Sequence, residues 1–221
     1  MGFGNVGLEL VPYIAEAGGT NLTVVEHGAR PIDEADPAFG DAILEIYREQ
    51  FDVDILTQTY EQRIEPTVDG GVRLYTEENG SIDAEKLFLF TGRRPNFDKL
   101  GLKNTALTPT AGWIDATIQA SDDSRSFVVG DANNREPILH VAKEQGNIAA
   151  DNILRHAAGD DLQPYENVHH HVIFSGLGVY PFARVGHSEQ SAAEAGIEYV
   201  AVERKASEYD VFTTKTSHTA S

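Results

Sequence analysis

Val6, Leu10, Val11, Ile14 and Ala15 recur at a spacing that puts them on one face of a helix. Gly18-Gly19 would end that helix, because glycine adopts the left-handed conformation helix ends require. Asn21 to Glu26 reads as a short buried strand, and Pro37 to Phe51 as a second helix with Phe39, Ile43, Leu44 and Tyr47 on its apolar side. Val53 to Thr57 predicts another strand. From residue 61 the period changes: Gly70-Gly71 separates two segments of alternating apolar residues, which predicts hairpin strands. The compact apolar run Lys86-Leu87-Phe88-Leu89-Phe90 predicts a buried strand running into the turn-rich Gly92-Arg93-Arg94-Pro95-Asn96. Residues 97–125 read as loops. Ser126 to Asp131 predicts a strand ending in a carboxylate, and Pro137 opens a long helix to about His156, proline being suited to a first helical position. Beyond Gly159-Asp160-Asp161, Val172-Ile173-Phe174 and Glu198 to Val202 predict strands around a helix from Ser188 to Ala195. There is no internal repeat and no low-complexity tract.

Composition narrows the classes. Of 221 residues 41% are hydrophobic, enough for a buried core. No apolar run is long enough to span a bilayer, and no basic region followed by an apolar stretch opens the chain, so a soluble cytoplasmic protein without signal peptide is expected. Asp and Glu number 35 against 17 Lys and Arg, a formal charge of -18. Such a field repels phosphate backbones and argues against nucleic-acid binding. Lysine is scarce, and a carboxylate-dense, lysine-poor surface suggests adaptation to high salt. The absence of cysteine excludes disulfides, thiolate nucleophiles and Cys-based zinc sites from this chain.

Two signals carry chemistry. The first is Gly2-x-Gly4-x-x-Gly7 at the mouth of the first helix, with Glu26 at the tip of the next strand. In such an arrangement one glycine makes a tight turn, one lets the backbone approach a pyrophosphate, and one lets helix pack on strand. The helix N-terminus adds N–H groups and a positive dipole end. A carboxylate at Glu26 can accept both ribose hydroxyls and would repel a 2′-phosphate, which favours NAD over NADP. The fingerprint is expected to follow a strand, yet only Met1 precedes Gly2, so the central strand of the sheet is expected to be missing. The second signal is Gly130-Asp131 at the end of an apolar strand, where a carboxylate can bond a sugar or ribityl hydroxyl. The helix that follows would aim its positive end at an anion. His169-His170-His171 suits a surface role better than a metal site, because successive strand residues point to opposite faces. Arg93 and Arg94 could hold phosphate or form a loop salt bridge. Trp113 reads as a packing residue.

In sequence, Gly2-x-Gly4-x-x-Gly7-x-Glu9, Thr23-Val24-Val25-Glu26, Thr91-Gly92-Arg93-Arg94-Pro95-Asn96, Val129-Gly130-Asp131 and Leu139-His140-Val141-Ala142 resemble the pyridine nucleotide-disulfide oxidoreductase family, over residues 2 to about 153. A weaker likeness to the family's dimerisation domain begins with Val172 to Ser175 and Val185 to Glu189. The resemblance implies an α/β fold. It would comprise an NAD-binding Rossmann-like domain over residues 1–91, a return segment of a second, FAD-binding Rossmann-like domain over 92–165, and a partial α+β dimerisation domain over 166–221. It further implies that Gly2, Gly4 and Gly7 line the NAD pyrophosphate, that Glu26 binds the adenosine ribose and that Gly92 contacts the nicotinamide nucleotide. Glu9 would lie near the nicotinamide and flavin rings as the catalytic acidic residue. Gly130 and Asp131 would meet the ribityl chain of FAD, and Leu139, His140, Val141 and Ala142 its pyrimidine edge. The implied activity is hydride transfer between NAD(H) and FAD in a homodimer of the dihydrolipoamide dehydrogenase or mercuric reductase kind. The family's Cys-x4-Cys pair and terminal His-Glu pair match nothing here, so the chain is expected to be inactive by itself. A nucleotide-binding module without catalysis, or a partner subunit, is the alternative.

Overall fold

A computed structural model describes residues 1–18, 21–32, 35–135, 137–166, 170–173 and 182–204. Contacts divide the chain into two units, residues 1–186 and residues 187–221. The first unit opens with helix α1 (Asn5–Glu16), strand β1 (Leu22–Val25), helix α2 (Pro37–Phe51) and strand β2 (Val53–Leu56). β1 and β2 pair in parallel from Leu22 with Val53 to Val25 with Leu56, and α2 supplies the crossover that parallel pairing needs. Phe3, Leu8, Val11, Val24, Leu44, Tyr47, Val53 and Ile55 are buried together between helices and strands. The Phe3 and Tyr47 rings meet edge to face, centroids 5.1 Å apart.

Strands β3 (Glu61–Pro66), β4 (Val72–Thr76) and β5 (Ser81–Ala84) form an antiparallel meander in the order β3-β4-β5. It is tied to the end of β1 through Thr59, which is fully buried. The Thr59 N–H donates to the Glu26 carbonyl at 3.0 Å, and its hydroxyl oxygen accepts from Asn79 Nδ2 at 2.7 Å. A second core gathers Ile114, Ile118, Ala120, Val141, Ala149 and Tyr165 between the hairpin β6 (Gln119–Ala120) and β7 (Asp123–Phe127) and the long helix α3 (Leu139–Ala158). Asn152, buried on α3, clamps two loops: its Nδ2 donates to the Thr117 and Gln163 carbonyls at 3.1 and 2.8 Å, and its Oδ1 accepts from Gln163 N at 2.7 Å. Strands β8 (His170–Ile173) and β9 (Phe182–Val185) form an antiparallel pair. In the second unit, helix α4 (Glu189–Glu194) starts with a capping box between Ser188 and Ser191.

Five expectations need correction. The buried face of α1 is Gly7, Leu8, Val11 and Pro12, whereas Val6 and Leu10 are exposed. Close packing of Gly7 on Gly2 sets the rotation of the helix, and the periodic run alone does not disclose it. Lys86 to Phe90 is neither a regular strand nor buried: Phe88 and Leu89 are 49% and 57% exposed. Its backbone bonds run to Met1, whose amino group donates to the Phe88 carbonyl and whose carbonyl accepts from Phe90 N. A strand needs a ladder of partners, and two bonds do not make one. The strand expected at 126–131 lies earlier, at Asp123–Phe127, because a turn of 3₁₀ helix over Gly130–Asn133 bends the chain. α3 begins at Leu139 rather than Pro137, since Ile138 takes the extended N-cap conformation. Residues 198–202 hold no strand, and Val200 and Val202 stand exposed. Of the strand expected at 172–174, Phe174 lies outside the described residues.

Candidate functional site

The three N-terminal glycines differ in why they must be glycine. Gly2 has φ +90°, and a Cβ there would sit 2.5 Å from the Phe90 carbonyl oxygen. A Cβ on Gly7 would meet the Gly2 carbonyl oxygen at 2.4 Å. These two are fixed by the chain's own packing. Gly4 is not: its backbone is ordinary extended, φ -76°, and among the described residues a Cβ would meet nothing within 4 Å. It is the N-cap of α1, whose first turn has no side-chain cap and no acidic residue. The N–H groups of a first helical turn have no partner within the helix, and there the helix dipole is positive. A helix start with neither a capping side chain nor an acidic residue in its first turn fits a diphosphate group.

Glu26 closes one side of this turn. The chain leaves β1 there, so the side chain emerges at the carboxyl end of the parallel pair. Its Oε2 accepts from Phe3 N at 2.5 Å and its Oε1 from Gly28 N at 2.8 Å. The structure thus brings Gly4 and Glu26 to one corner, with the carboxylate on the amide next to Gly4. Each carboxylate oxygen keeps acceptor capacity for a hydroxyl. His27 follows, stacked on Tyr60 at 4.9 Å between centroids and hydrogen-bonded through Nε2 to Glu61. That bond holds the Glu61 carboxyl below its usual range. Arg30, further along the loop, pairs with Asp41 of α2.

Glu9 lies half-buried on the second turn of α1, and α1 itself is pinned by Tyr47. Pro12 has no N–H, so the Leu8 carbonyl loses its helical donor. The buried Tyr47 hydroxyl donates to that carbonyl instead. Burial, and then the charge of Glu9, push the Tyr47 hydroxyl up to about 12.

The remaining candidates gather elsewhere in the same unit. Gly92 has φ +92° with open space about it. The next residue, Arg93, reaches Asp131, Nη1 to Oδ2 at 3.2 Å, so it forms a loop salt bridge. Asp131 stands exposed on the 3₁₀ turn. Gln145 on α3, fully buried, builds that turn: its Oε1 accepts from Gly130 N and from Asn133 Nδ2, both at 2.8 Å. Leu139, His140, Val141 and Ala142 form the first turn of α3, with Val141 buried, Leu139 and His140 exposed, and neither a side-chain cap nor an acidic residue. A carboxylate beside an uncapped helix start suits a ligand that carries hydroxyls and an electronegative edge. Sequence reasoning missed Gln145 and read Tyr47 only as an apolar-face residue, without its bond to Leu8; a glutamine within an apolar helical period and a proline four residues after a carbonyl were the signals. Among the described residues no group of three His, Cys, Asp or Glu could hold a metal ion. His169 lies outside those residues. Trp113 packs edge to face on Phe97, 5.5 Å between centroids.

The family model described as pyridine nucleotide-disulphide oxidoreductase matches residues 1–146. A dihydrolipoyl dehydrogenase of Geobacillus stearothermophilus is 30% identical over 206 residues, 91% of this chain and 42% of that protein. A mercuric reductase of Bacillus cereus is 28% identical over 205 residues, 90% of this chain and 31% of that protein. The chain thus spans less than half the length of these curated relatives. The HOCl-induced flavoprotein disulfide reductase RclA of Escherichia coli, in its Cu(II) complex, superposes with a TM-score of 0.73 at 21% identity, covering 89% of this chain and 43% of that one. That likeness shows the mixed helix and strand fold.

Proposed function

Because the chain belongs to the pyridine nucleotide-disulphide oxidoreductase family, we propose that it binds NAD(H) at the mouth of α1 and contributes to an FAD site at Asp131 and the first turn of α3. In the complete protein it would serve hydride transfer of the dihydrolipoyl dehydrogenase type. The carrying observation is the contrast among the glycines: packing accounts for Gly2 and Gly7, and nothing among the described residues accounts for Gly4. In this reading the backbone from Gly2 to Gly7 receives the pyrophosphate, Glu26 accepts from the adenosine ribose hydroxyls, and Gly92 lines the nicotinamide side. Glu9 orients the nicotinamide. Gly130 and Asp131 hold the ribityl chain, and the backbone of Leu139, His140, Val141 and Ala142 meets the pyrimidine edge. When bound, the flavin exchanges a hydride with the nicotinamide.

We assign residues 1–91 to the NAD-binding domain, 92–165 to the return segment of the FAD-binding domain and 166–221 to a partial dimerisation domain. The parent works as a cytoplasmic homodimer in this reading, and its acidic excess favours a salt-adapted source. No helix among the described residues is long and apolar enough to cross a membrane. The lack of cysteine favours a second reading for the isolated chain, a nucleotide-binding module or subunit that cannot itself reduce a disulfide. A mercuric reductase-like parent would share both nucleotide sites and differ in the acceptor.

Fluorescence titration of the chain with NADH tests the first site. Saturable uptake is expected, weakened at least about tenfold in Gly4→Val and in Glu26→Ala. Absence of uptake by the wild type would refute the reading. Flavin absorbance retained through gel filtration, and reduced in Asp131→Ala, supports the second site; NADH uptake by a colourless chain supports the module.

A further inference from the structure

Arg30 lies four residues past Glu26, on the loop that would border the adenosine ribose. Between them Gly28 donates its N–H to the Glu26 carboxylate at 2.8 Å. A guanidinium on such a loop is the group that accommodates a 2′-phosphate, because its forked donors match phosphate oxygens. Here that guanidinium is turned away. Its Nε donates to Asp41 Oδ1 at 2.6 Å and its Nη2 to Asp41 Oδ2 at 3.1 Å, a bidentate pair. The aliphatic stem lies against Gly40, where a Cβ would stand 2.8 Å from Arg30 Cβ and 2.9 Å from its Cδ. Gly40 and Asp41 thus form a seat on α2, one residue giving room and the next the counter-charge.

We propose that Asp41 is a positioning residue for coenzyme choice: it holds Arg30 on α2 and withholds the loop guanidinium from a 2′-phosphate. Two acids then divide the discrimination against NADP(H). Glu26 repels the phosphate, and Asp41 removes its receptor. The inference rests on the NAD(H) reading of the α1 site and adds to it a residue that touches no nucleotide.

Fluorescence titrations with NADH and NADPH test it on the full chain in a Glu26→Gln background, where the repulsion is gone. Adding Asp41→Asn is expected to tighten NADPH about threefold, the scale an exposed ion pair can withhold, and to leave NADH within about twofold. Adding Arg30→Met should abolish the gain, and Asp41→Glu, which keeps the counter-charge, should not produce it. Unchanged NADPH affinity in the Asn variant, with NADH still bound, overturns the proposal alone. A gain that survives Arg30→Met overturns it too. A wild type that takes up no NADH overturns the site reading and this inference together.

Discussion

At the scale of single residues, positions that share a motif separate by what surrounds them. Ala at Gly7 forces a Cβ to 2.4 Å from the Gly2 carbonyl oxygen, a backbone atom that cannot swing aside. Such overpacking costs about 1–3 kcal/mol, so Gly7→Ala should lower the urea midpoint. Gly4→Ala adds its methyl to open space at a permitted φ, so it should leave the midpoint nearly unchanged while weakening NADH. Equal loss of stability in both would remove the ligand argument for Gly4. Tyr47 gives a pH-dependent case. Its folded-state hydroxyl ionises at about 12, above the ordinary value of 10.0. Between these values the unfolded chain has released a proton that the folded chain keeps, so stability falls as pH rises through the window and is unaffected below it. Tyr47→Phe leaves the Leu8 carbonyl without its donor, costing about 1–3 kcal/mol at neutral pH. The variant should also show a flatter alkaline decline than the wild type in urea titrations at pH 9, 10 and 11. A parallel decline would place the alkaline sensitivity elsewhere.

At the scale of elements, what the sequence discloses depends on whether an element is specified locally or by its neighbours. α2 is bounded by Pro37 and by Asp52 in the left-handed conformation, both local signals, and its limits agree with the apolar period. β1, β2 and the hairpin about Gly70-Gly71 are legible for the same reason. The failures are those decided at a distance. The rotation of α1 depends on a backbone contact between Gly7 and Gly2, and the run from Lys86 to Phe90 depends on ladder partners. The turn that displaces the strand before Asp131 depends on Gln145, fifteen residues on in the chain. At the candidate sites the motif residues were legible as letters. Their supports were legible only in part: the apolar period of α2 discloses that Tyr47 faces inward, but the polar bonds of Tyr47 and Gln145 are made to distant backbone that no period discloses. Gln145→Leu should therefore do more than open a cavity: it strands the Gly130 N–H without an acceptor, at about 1–3 kcal/mol, and takes from the Asn133 amide one of its two acceptors, leaving the Val128 carbonyl. Gln145→Glu keeps an acceptor for both. The Leu variant should lose stability and retain less flavin than the wild type, and the Glu variant should restore both at neutral pH. Equal damage in the two variants would make the side chain's shape, not its acceptor, the relevant property.

At the scale of the whole molecule, charge decides how the fold responds to its solvent. Two electrostatic terms oppose each other. The described ion pairs, such as Arg73 with Asp83 and Arg125 with Asp123, are attractive, but each has at least one largely exposed partner. Pairs of that kind contribute little, and salt weakens them. Against them stands the net charge of -18, a repulsion spread over the whole surface that salt also weakens. With 35 acids and 17 bases, every base could be paired and a large acidic excess would remain. Repulsion therefore outweighs pairing, and adding KCl should raise the melting temperature by several degrees. The form of the rise identifies its cause. Screening shortens from about 10 Å at 0.1 M to about 3 Å at 1 M, so a screening effect is largely complete by about 1 M. Exclusion of salt from the protein surface would instead keep raising the melting temperature in proportion to concentration. Thermal scans from 0.05 to 3 M KCl, on the scale of about 1 M set by screening, should show a steep rise followed by a plateau. A fall in melting temperature on adding the first portions of salt would mean that the surface pairs dominate and that the acidic excess is not an adaptation to salt.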